Sequence, residues 1–173
     1  MAAKLVVRDA EAGDAEAIGE LFRRYVETTV TTFEEVPPTA QDWRGKIGAI
    51  ARDGWPFLVA TLEDDLVGYA YVSPWRPKPA YRHTVENTIY LHPGHVGRGI
   101  GRHLLGELLR RAAAAGAHQV IAVIADTGNP ASEALHRKAG FEVVGKLNEV
   151  GRKKGKWIDT TLMQLDLTTQ NAG

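Results

Sequence analysis

The sequence of 173 residues contains no cysteine. Disulfides, thiolate metal sites and a cysteine nucleophile are therefore excluded, and the composition fits the reducing cytoplasm, which is the expected location. Long hydrophobic runs are also lacking, since no stretch approaches the roughly 18–20 apolar residues that a membrane-spanning helix needs. The N-terminal residues show no signal-peptide core, so no membrane association is expected.

Neither sign of charge dominates, because Lys+Arg and Asp+Glu both number 21. This balance does not predict the basic surface of a nucleic-acid-binding protein. Serine is scarce, and neither Ser73 nor Ser132 lies in a G-x-S-x-G nucleophile elbow. His92, His95 and His103 have no carboxylate at ligand spacing, so no metal site is predicted.

Hydrophobic periodicity predicts a single mixed α/β domain over residues 1–173. Strands are predicted over 4–8, 57–62, 66–73, 84–92, 119–125, 141–145 and 157–167. Helices are predicted over 14–27, 39–51 and 100–116, and between an Asn129 N-cap and Gly140 at C′. Several strands followed by two strand–helix units are typical of one mixed sheet covered by helices.

The most informative segment is Gly97-Arg98-Gly99-Ile100-Gly101, between a predicted strand and a predicted helix. Glycines permit positive φ and close backbone approach, and a helix N-terminus offers unpaired N–H groups to an anion such as a pyrophosphate. Arg98 and Arg102 would add charge-assisted hydrogen bonds. The alternative is a turn that only lets strand and helix pack closely. The spacing G-x-G-x-G excludes the dinucleotide fingerprint G-x-G-x-x-G.

Two motifs resemble the GCN5-related N-acetyltransferase (GNAT) superfamily: His95-Val-Gly-Arg-Gly-Ile-Gly101 and Asn129-x-x-Ser132-x-x-Leu135-His136-x-x-x-Gly140-Phe141. The resemblance implies a mixed, mostly antiparallel sheet flanked by about four helices, with splayed strands at an acetyl-CoA site. It implies acetyl-CoA as cosubstrate and a glycine loop that binds the CoA pyrophosphate. It also implies that backbone groups of Ile89, Tyr90 and Leu91 bind the pantetheine arm, and that Asn129 and Ser132 lie near that arm or the sulfur.

Further motifs resemble the phosphinothricin and methionine sulfoximine acetyltransferases over nearly the whole chain. Among them are Thr31-Thr-Phe-Glu34, Trp75-Arg-Pro77, Ala80-Tyr-Arg82, Thr84-Val-Glu86 and Val150-Gly-x-Lys153-x-Gly155-x-Trp157-x-Asp159. That family implies a homodimer and a substrate with an α-amino and an α-carboxylate group. The sequence departs from the superfamily at Val96, where Gln or Arg is usual, and at His136, where many members have a tyrosine acid.

Acetyl transfer to an amine needs a base for the amine proton and an acid for the departing thiolate. A carboxylate is unusual in the middle of a β-branched, aromatic strand, and the family resemblance implies Glu86 as the base. The alternative is a solvent-facing glutamate. His136 is predicted to protonate the thiolate, since an imidazole exchanges protons near neutral pH; the alternative is a capping or packing histidine.

Five residues are predicted to bind the amine substrate. Arg76 and Arg82 suit its carboxylate, because a guanidinium binds carboxylates in a bidentate fashion. Phe33, Tyr81 and Trp157 would form the pocket walls. The alternatives are solvated charges for the arginines and ordinary core positions for the aromatic residues.

A short basic run, Arg152 to Lys156, is predicted to lie in a hairpin. It is either a solvated turn or a rim that attracts an anionic substrate. Two other functions stay open at this point: acetylation of a polyamine, an aminoglycoside or a protein N-terminus, and a CoA-binding module without catalysis.

Overall fold

The computed structural model describes residues 4–169 and shows one seven-stranded sheet with four α-helices. The strands are β1 (Leu5–Asp9), β2 (Phe57–Leu62), β3 (Asp65–Pro74), β4 (Thr84–Leu91), β5 (Gln119–Ala125), β6 (Glu142–Lys153) and β7 (Lys156–Asp166). The helices are α1 (Ala15–Thr28), α2 (Ala40–Arg52), α3 (Ile100–Ala114) and α4 (Ala131–Lys138). The predicted fold class is confirmed.

The sheet order is β1-β2-β3-β4-β5-β7-β6, and all neighbours are antiparallel except β4 and β5. Apolar side chains fill a core on each face. One core lies between the sheet and α3, whose Leu104, Leu105 and Leu108 are fully buried. The other lies under α1 and α2 and is rich in aromatic residues, including Phe22, Trp43 and Tyr69. No helix within residues 4–169 is long and apolar enough to cross a membrane.

Local sequence signals explain where the helices begin and end. The predicted capping box of α2 is present: Thr39 Oγ1 accepts from Asp42 N, and Asp42 accepts from Thr39 N. Helix α4 begins one residue later than predicted, with Pro130 as its N-cap, but Asn129 still caps it by accepting from Ala131 N at 3.0 Å. Gly140 has φ 97°, the left-handed conformation predicted at C′.

Strand β6 is longer than the predicted segment 141–145, because it continues to Lys153. Two register shifts, at Val143/Gly145 and Leu147/Gly151, break its alternation of side chains. These irregularities hide the period of two on which strand prediction depends. The resulting hairpin of β6 and β7 projects toward the loop between α1 and α2.

Candidate active site

Strands β4 and β5 separate in the middle of the sheet. They pair at only three positions, Thr84 to Glu86 against Gln119 to Ile121, although β4 continues to Leu91 and β5 to Ala125. Ile89, Tyr90 and Leu91, the predicted pantetheine-binding positions, pair with β3 on one side only. Alternate residues of an antiparallel strand bond to the partner strand, and His92 N bonds to Val67 O, so the backbone groups of Ile89 and Leu91 face the gap, where β5 supplies no ladder partner, whereas those of Tyr90 face β3.

The glycine turn leads from this gap into α3. Gly97 and Gly99 have φ of 81° and 82°, a conformation that side-chain-bearing residues rarely adopt, and Gly99 is the N-cap of the helix. A Cβ at Gly101 would lie 3.1 Å from Leu91 Cδ1 and 3.3 Å from Leu135 Cδ2. The glycines therefore serve two purposes, since two of them shape the loop and the third lets α3 approach β4 and α4 closely.

The N-terminal end of α3 is suited to bind an anion. The first N–H groups of a helix have no partner within it, and the helix dipole is positive there. Arg98 and Arg102 are both exposed, and an Arg98 nitrogen lies 3.1 Å from His95 Nδ1. The residues present thus suit a pyrophosphate at the end of the β4–β5 gap.

Glu86 lies at the last paired position of β4, where the gap begins. Its side chain is half-buried, and no hydrogen bond or ion pair of its carboxylate is found among residues 4–169. Burial raises the pKa of Glu86 above its ordinary value, while the positive charge of Arg76 opposes that shift. A half-desolvated carboxylate without a fixed partner is suited to accept a proton.

His136 is buried in α4, and both of its ring nitrogens have partners inside the protein. Nδ1 lies 2.8 Å from the carbonyl oxygen of Ser132, and Nε2 lies 2.9 Å from Asn87 Nδ2. Burial lowers the pKa of His136, so the neutral imidazole is favoured. These contacts favour the packing alternative, and the role of His136 as proton donor stays a prediction.

Asn129 and Ser132 lie at the start of α4. The Asn129 side chain is occupied in capping Ala131 N, and the Ser132 carbonyl accepts from His136. Both residues therefore hold the N-terminal turn of α4 in place. Their predicted contact with a pantetheine arm stays a prediction.

The loop between α1 and α2 is fastened to the β6–β7 hairpin. A Cβ at Gly151 would lie 2.4 Å from the Phe33 ring, so the ring packs directly on the hairpin backbone. Lys153 is buried and donates from Nζ to the carbonyl oxygen of Thr32 at 2.8 Å. This corrects the solvated-turn alternative for Lys153, because one member of the basic run is a buried link between the hairpin and this loop.

The other predicted substrate residues lie on exposed segments. The Arg76 guanidinium lies 4.7 Å from the centre of the Trp75 ring. It is also close enough to the Glu86 carboxylate for its charge to lower the pKa of Glu86. Arg82 follows a short 3₁₀ helix, Pro79–Tyr81, and donates back to the Pro79 carbonyl. Tyr81 and Trp157 are exposed, so they are not core residues.

Sequence reasoning missed Asn87 and the contacts of Thr32 and Tyr25. Asn87 bonds to His136, and the Tyr25 hydroxyl donates to the carbonyl oxygen of Leu91. A polar residue at an apolar position of a buried strand was the available signal for Asn87. The part of the chain that the structure describes contains no group of three His, Cys, Asp or Glu residues able to hold a metal.

Comparison with known proteins identifies the family. The sequence profile of the acetyltransferase (GNAT) family matches residues 17–141, which is most of the chain. This chain belongs to the GNAT acetyltransferase family. The resemblance stated from the sequence is thereby confirmed, and the strand gap and glycine turn are features of a GNAT acetyltransferase.

Individual relatives of this acetyltransferase cover nearly its whole length. The phosphinothricin N-acetyltransferase of Alcaligenes faecalis is 43% identical over 168 residues, which is 97% of this chain and 82% of the relative. The L-methionine sulfoximine/L-methionine sulfone acetyltransferase of Pseudomonas aeruginosa is 38% identical, over 93% and 94% of the two chains. A phosphinothricin acetyltransferase from Sinorhizobium meliloti, solved in complex with acetyl-CoA, has a TM-score of 0.88 and 44% identity, covering 96% of this chain and 89% of that one.

Proposed function

We propose that this acetyltransferase transfers the acetyl group of acetyl-CoA to the α-amine of a small amino-acid-like substrate of the phosphinothricin, methionine sulfoximine or methionine sulfone type. The observation that carries the proposal is Glu86, a half-buried carboxylate at the position where β4 and β5 separate. The relatives' substrates support the choice of amine. The cytoplasmic location expected from the sequence is part of this proposal.

Acetyl-CoA supplies an activated acetyl group, and the protein residues bind, orient and move protons. The head of α3 with Gly97 and Gly99 binds the pyrophosphate through backbone N–H groups. Backbone groups of Ile89 and Leu91, on either side of Tyr90, bind the arm along the unpaired edge of β4. Glu86 takes the proton from the ammonium directly or through a water, so that the neutral amine attacks the thioester carbon.

The bonds and protons balance in this reaction. A carbon–nitrogen bond forms while the carbon–sulfur bond breaks, and the electron pair leaves on the CoA sulfur. The thiolate then takes a proton to give free CoA. That proton balances the second one lost by the nitrogen, which leaves a neutral amide as the product, while the first proton, taken by Glu86, passes to solvent and restores the carboxylate.

A thiol-release assay tests the proposal directly. Acetyl-CoA is incubated with the enzyme and a panel of amines: phosphinothricin, methionine sulfoximine, methionine sulfone, common amino acids and polyamines. Preferred turnover of the first three supports the proposal. Faster turnover of polyamines would favour the alternative substrate class, and no thiol release with any amine would favour a CoA-binding module without catalysis.

Arg82→Ala is expected to raise KM for methionine sulfone by about tenfold, with little change in KM for acetyl-CoA. The physical reason is that a hydrogen bond to a charged group contributes about 1.5–3 kcal/mol, part of which water replaces in an exposed site. Arg82 is exposed and held by one weak bond to Pro79 O at 3.3 Å, so it is free to turn toward a carboxylate. Steady-state kinetics with each substrate varied in turn measures both constants.

Two controls accompany this measurement. Arg23→Ala removes an exposed arginine on α1 that is not among the predicted substrate-binding residues, and is expected to leave both constants unchanged. The carboxamide of methionine sulfone lacks the anionic group, so its KM is expected to respond little to Arg82→Ala. An equal increase for the free acid and the amide would show that Arg82 does not bind the carboxylate.

We further propose that the enzyme is a homodimer formed through the exposed apolar side of β6. This strand is the edge of the sheet, yet Val143, Val144, Leu147 and Val150 are exposed there. A long edge strand with exposed apolar residues favours association and is normally covered. Trp157 on β7, which pairs with Arg152 of β6, is 60% exposed as well.

The double variant Val144→Lys/Leu147→Lys is expected to convert the dimer to a monomer. A two-fold interface would bury both lysines of each subunit without partners, whereas in the monomer their charges stay in water. Light scattering after size exclusion gives the mass. Val6→Lys is the control, since Val6 is 38% exposed on β1, which is the opposite edge of the sheet. A monomeric wild type, or an unchanged dimer in the double variant, would contradict the proposal.

A further inference from the structure

Asn87 is a buried polar residue that the reaction described above does not use. It is 6% exposed and lies in β4, directly after Glu86, the last residue that pairs with β5. Its side-chain oxygen Oδ1 is buried and has no hydrogen-bond partner among the described residues. Buried acceptors without a partner are rare in folded proteins, so this atom calls for an explanation.

The orientation of the Asn87 amide is fixed by a chain of hydrogen bonds. The Ser132 carbonyl can only accept, so His136 Nδ1 carries the hydrogen at 2.8 Å. In the neutral ring, Nε2 is then an acceptor and must face the NH₂ group of Asn87, which lies 2.9 Å away. The carbonyl oxygen of the amide is consequently turned away from His136 and left free to accept.

The place of this free acceptor indicates its partner. Three other buried polar atoms lack partners among the described residues, but Trp43, Tyr69 and Thr160 lie in the aromatic core or in β7. Asn87 alone among them lies in β4 at the point where the sheet opens. It lies on the opposite face of β4 from Glu86, because side chains alternate along a strand. The acetyl-accepting amine belongs on the Glu86 face, which leaves the coenzyme arm as the source of a donor.

We propose that Asn87 Oδ1 accepts a hydrogen bond from an amide N–H of the pantetheine arm of acetyl-CoA, and that His136 positions the Asn87 amide for this contact. The inference rests on the proposed use of acetyl-CoA. It assigns His136 a positioning role that depends on its neutral form and on the Ser132 carbonyl. It also explains why an asparagine occupies a face of β4 that otherwise carries the apolar residues Val85, Ile89 and Leu91.

Calorimetric binding of three ligands tests the assignment. Acetyl-CoA and CoA both carry the arm, whereas adenosine 3′,5′-bisphosphate carries the nucleotide without it. Asn87→Leu keeps the volume of the side chain but removes the acceptor. It is expected to weaken the binding of acetyl-CoA and of CoA by about 3- to 10-fold, as the loss of one hydrogen bond predicts. Binding of the bisphosphate is expected to be unchanged.

Two further variants guard against a purely structural effect. Asn87→Gln keeps both an amide oxygen acceptor and an NH₂ donor for His136 Nε2, and is expected to retain more of the affinity for acetyl-CoA than Asn87→Leu. His136→Phe releases the amide from its fixed orientation and is expected to weaken the arm-bearing ligands while sparing the bisphosphate. Because each comparison is between ligands on one folded variant, general destabilisation moves all three affinities together.

Several outcomes would overturn the assignment. The first is an equal affinity for acetyl-CoA in wild type and Asn87→Leu. The second is a loss of affinity in Asn87→Leu that is as large for the bisphosphate as for acetyl-CoA. The third is a loss of affinity for CoA alone, which would indicate the CoA thiol as the donor. If wild type and Asn87→Leu bind the bisphosphate equally well and acetyl-CoA equally well, only this inference is overturned. A wild type that binds no acetyl-CoA overturns the proposed function as well.

Discussion

Replacing Glu86 with glutamine is expected to lower kcat by about 100-fold or more while leaving the Kd of acetyl-CoA unchanged. Glutamine keeps the size of the side chain but cannot take the amine proton. The Glu86 carboxylate makes no hydrogen bond or ion pair within residues 4–169, so the exchange breaks no fold-stabilising side-chain contact there. Steady-state kinetics with methionine sulfone gives kcat, and calorimetry gives Kd.

The pH profile provides a sharper test of the same residue. Burial raises the pKa of Glu86 above the ordinary value of 4.5, because desolvation penalises the charged form. The base works only when deprotonated, so kcat/KM is expected to fall as the pH drops through this raised pKa. The acid limb should therefore lie above pH 4.5 and disappear in Glu86→Gln.

Glu142→Gln is the matched control, because Glu142 is an exposed glutamate on β6. It is expected to leave kcat, Kd and the pH profile unchanged. A parallel loss of kcat and acetyl-CoA affinity in Glu86→Gln would contradict the assignment of Glu86 as a base, because it would indicate a binding or folding role.

The second large effect is expected from Gly99→Val, which should weaken acetyl-CoA binding by about tenfold or more. Gly99 has φ 82° at the N-cap of α3. An L-residue in this conformation costs about 1–2 kcal/mol, and a β-branched side chain is worse still. The loop is expected to relieve the strain by changing its backbone angles, which turns the N–H groups at the helix head away from the pyrophosphate.

Gly106→Val provides the control for this substitution. Gly106 lies on the exposed side of the same helix, where an added Cβ meets nothing within 4 Å and the backbone is helical. Its acetyl-CoA affinity is expected to equal that of the wild type. If calorimetry gave Gly99→Val the same Kd as Gly106→Val, the glycine turn would not be the pyrophosphate site.

The proposed positioning role of His136 changes how the site is understood. The sequence predicted an acid that donates a proton to the leaving thiolate. In the structure, a neutral His136 donates to Ser132 O and accepts from Asn87, so protonating a thiolate would require both bonds to be rearranged. Measurements on His136→Phe distinguish the two roles. Loss of a general acid lowers kcat, whereas loss of a positioning residue lowers the affinity for acetyl-CoA and CoA, which carry the pantetheine arm.

Much of the site follows from local sequence signals. Periodicity located α1 and α3 to within about two residues at each end, and Thr39 with Asp42 marked the start of α2. The glycine turn was recognisable because its features are local: positive φ at Gly97 and Gly99, followed at once by a helix. Its place between β4 and α3 needed only chain order, and the family resemblance supplied the ligand.

Tertiary structure alone decided the features that join distant segments. The bond from Asn87 to His136 spans 49 residues and that from Lys153 to Thr32 spans 121. Local sequence gives no information on contacts between such distant segments. Lys153 in a basic run therefore cannot be distinguished from a solvated lysine without the packing of the β6–β7 hairpin on the loop between α1 and α2. The opening between β4 and β5 likewise depends on which strands pair, and pairing is set by the packing of the whole sheet. Local propensity thus determined the elements, while burial and long-range hydrogen bonds determined which polar groups are left free to act.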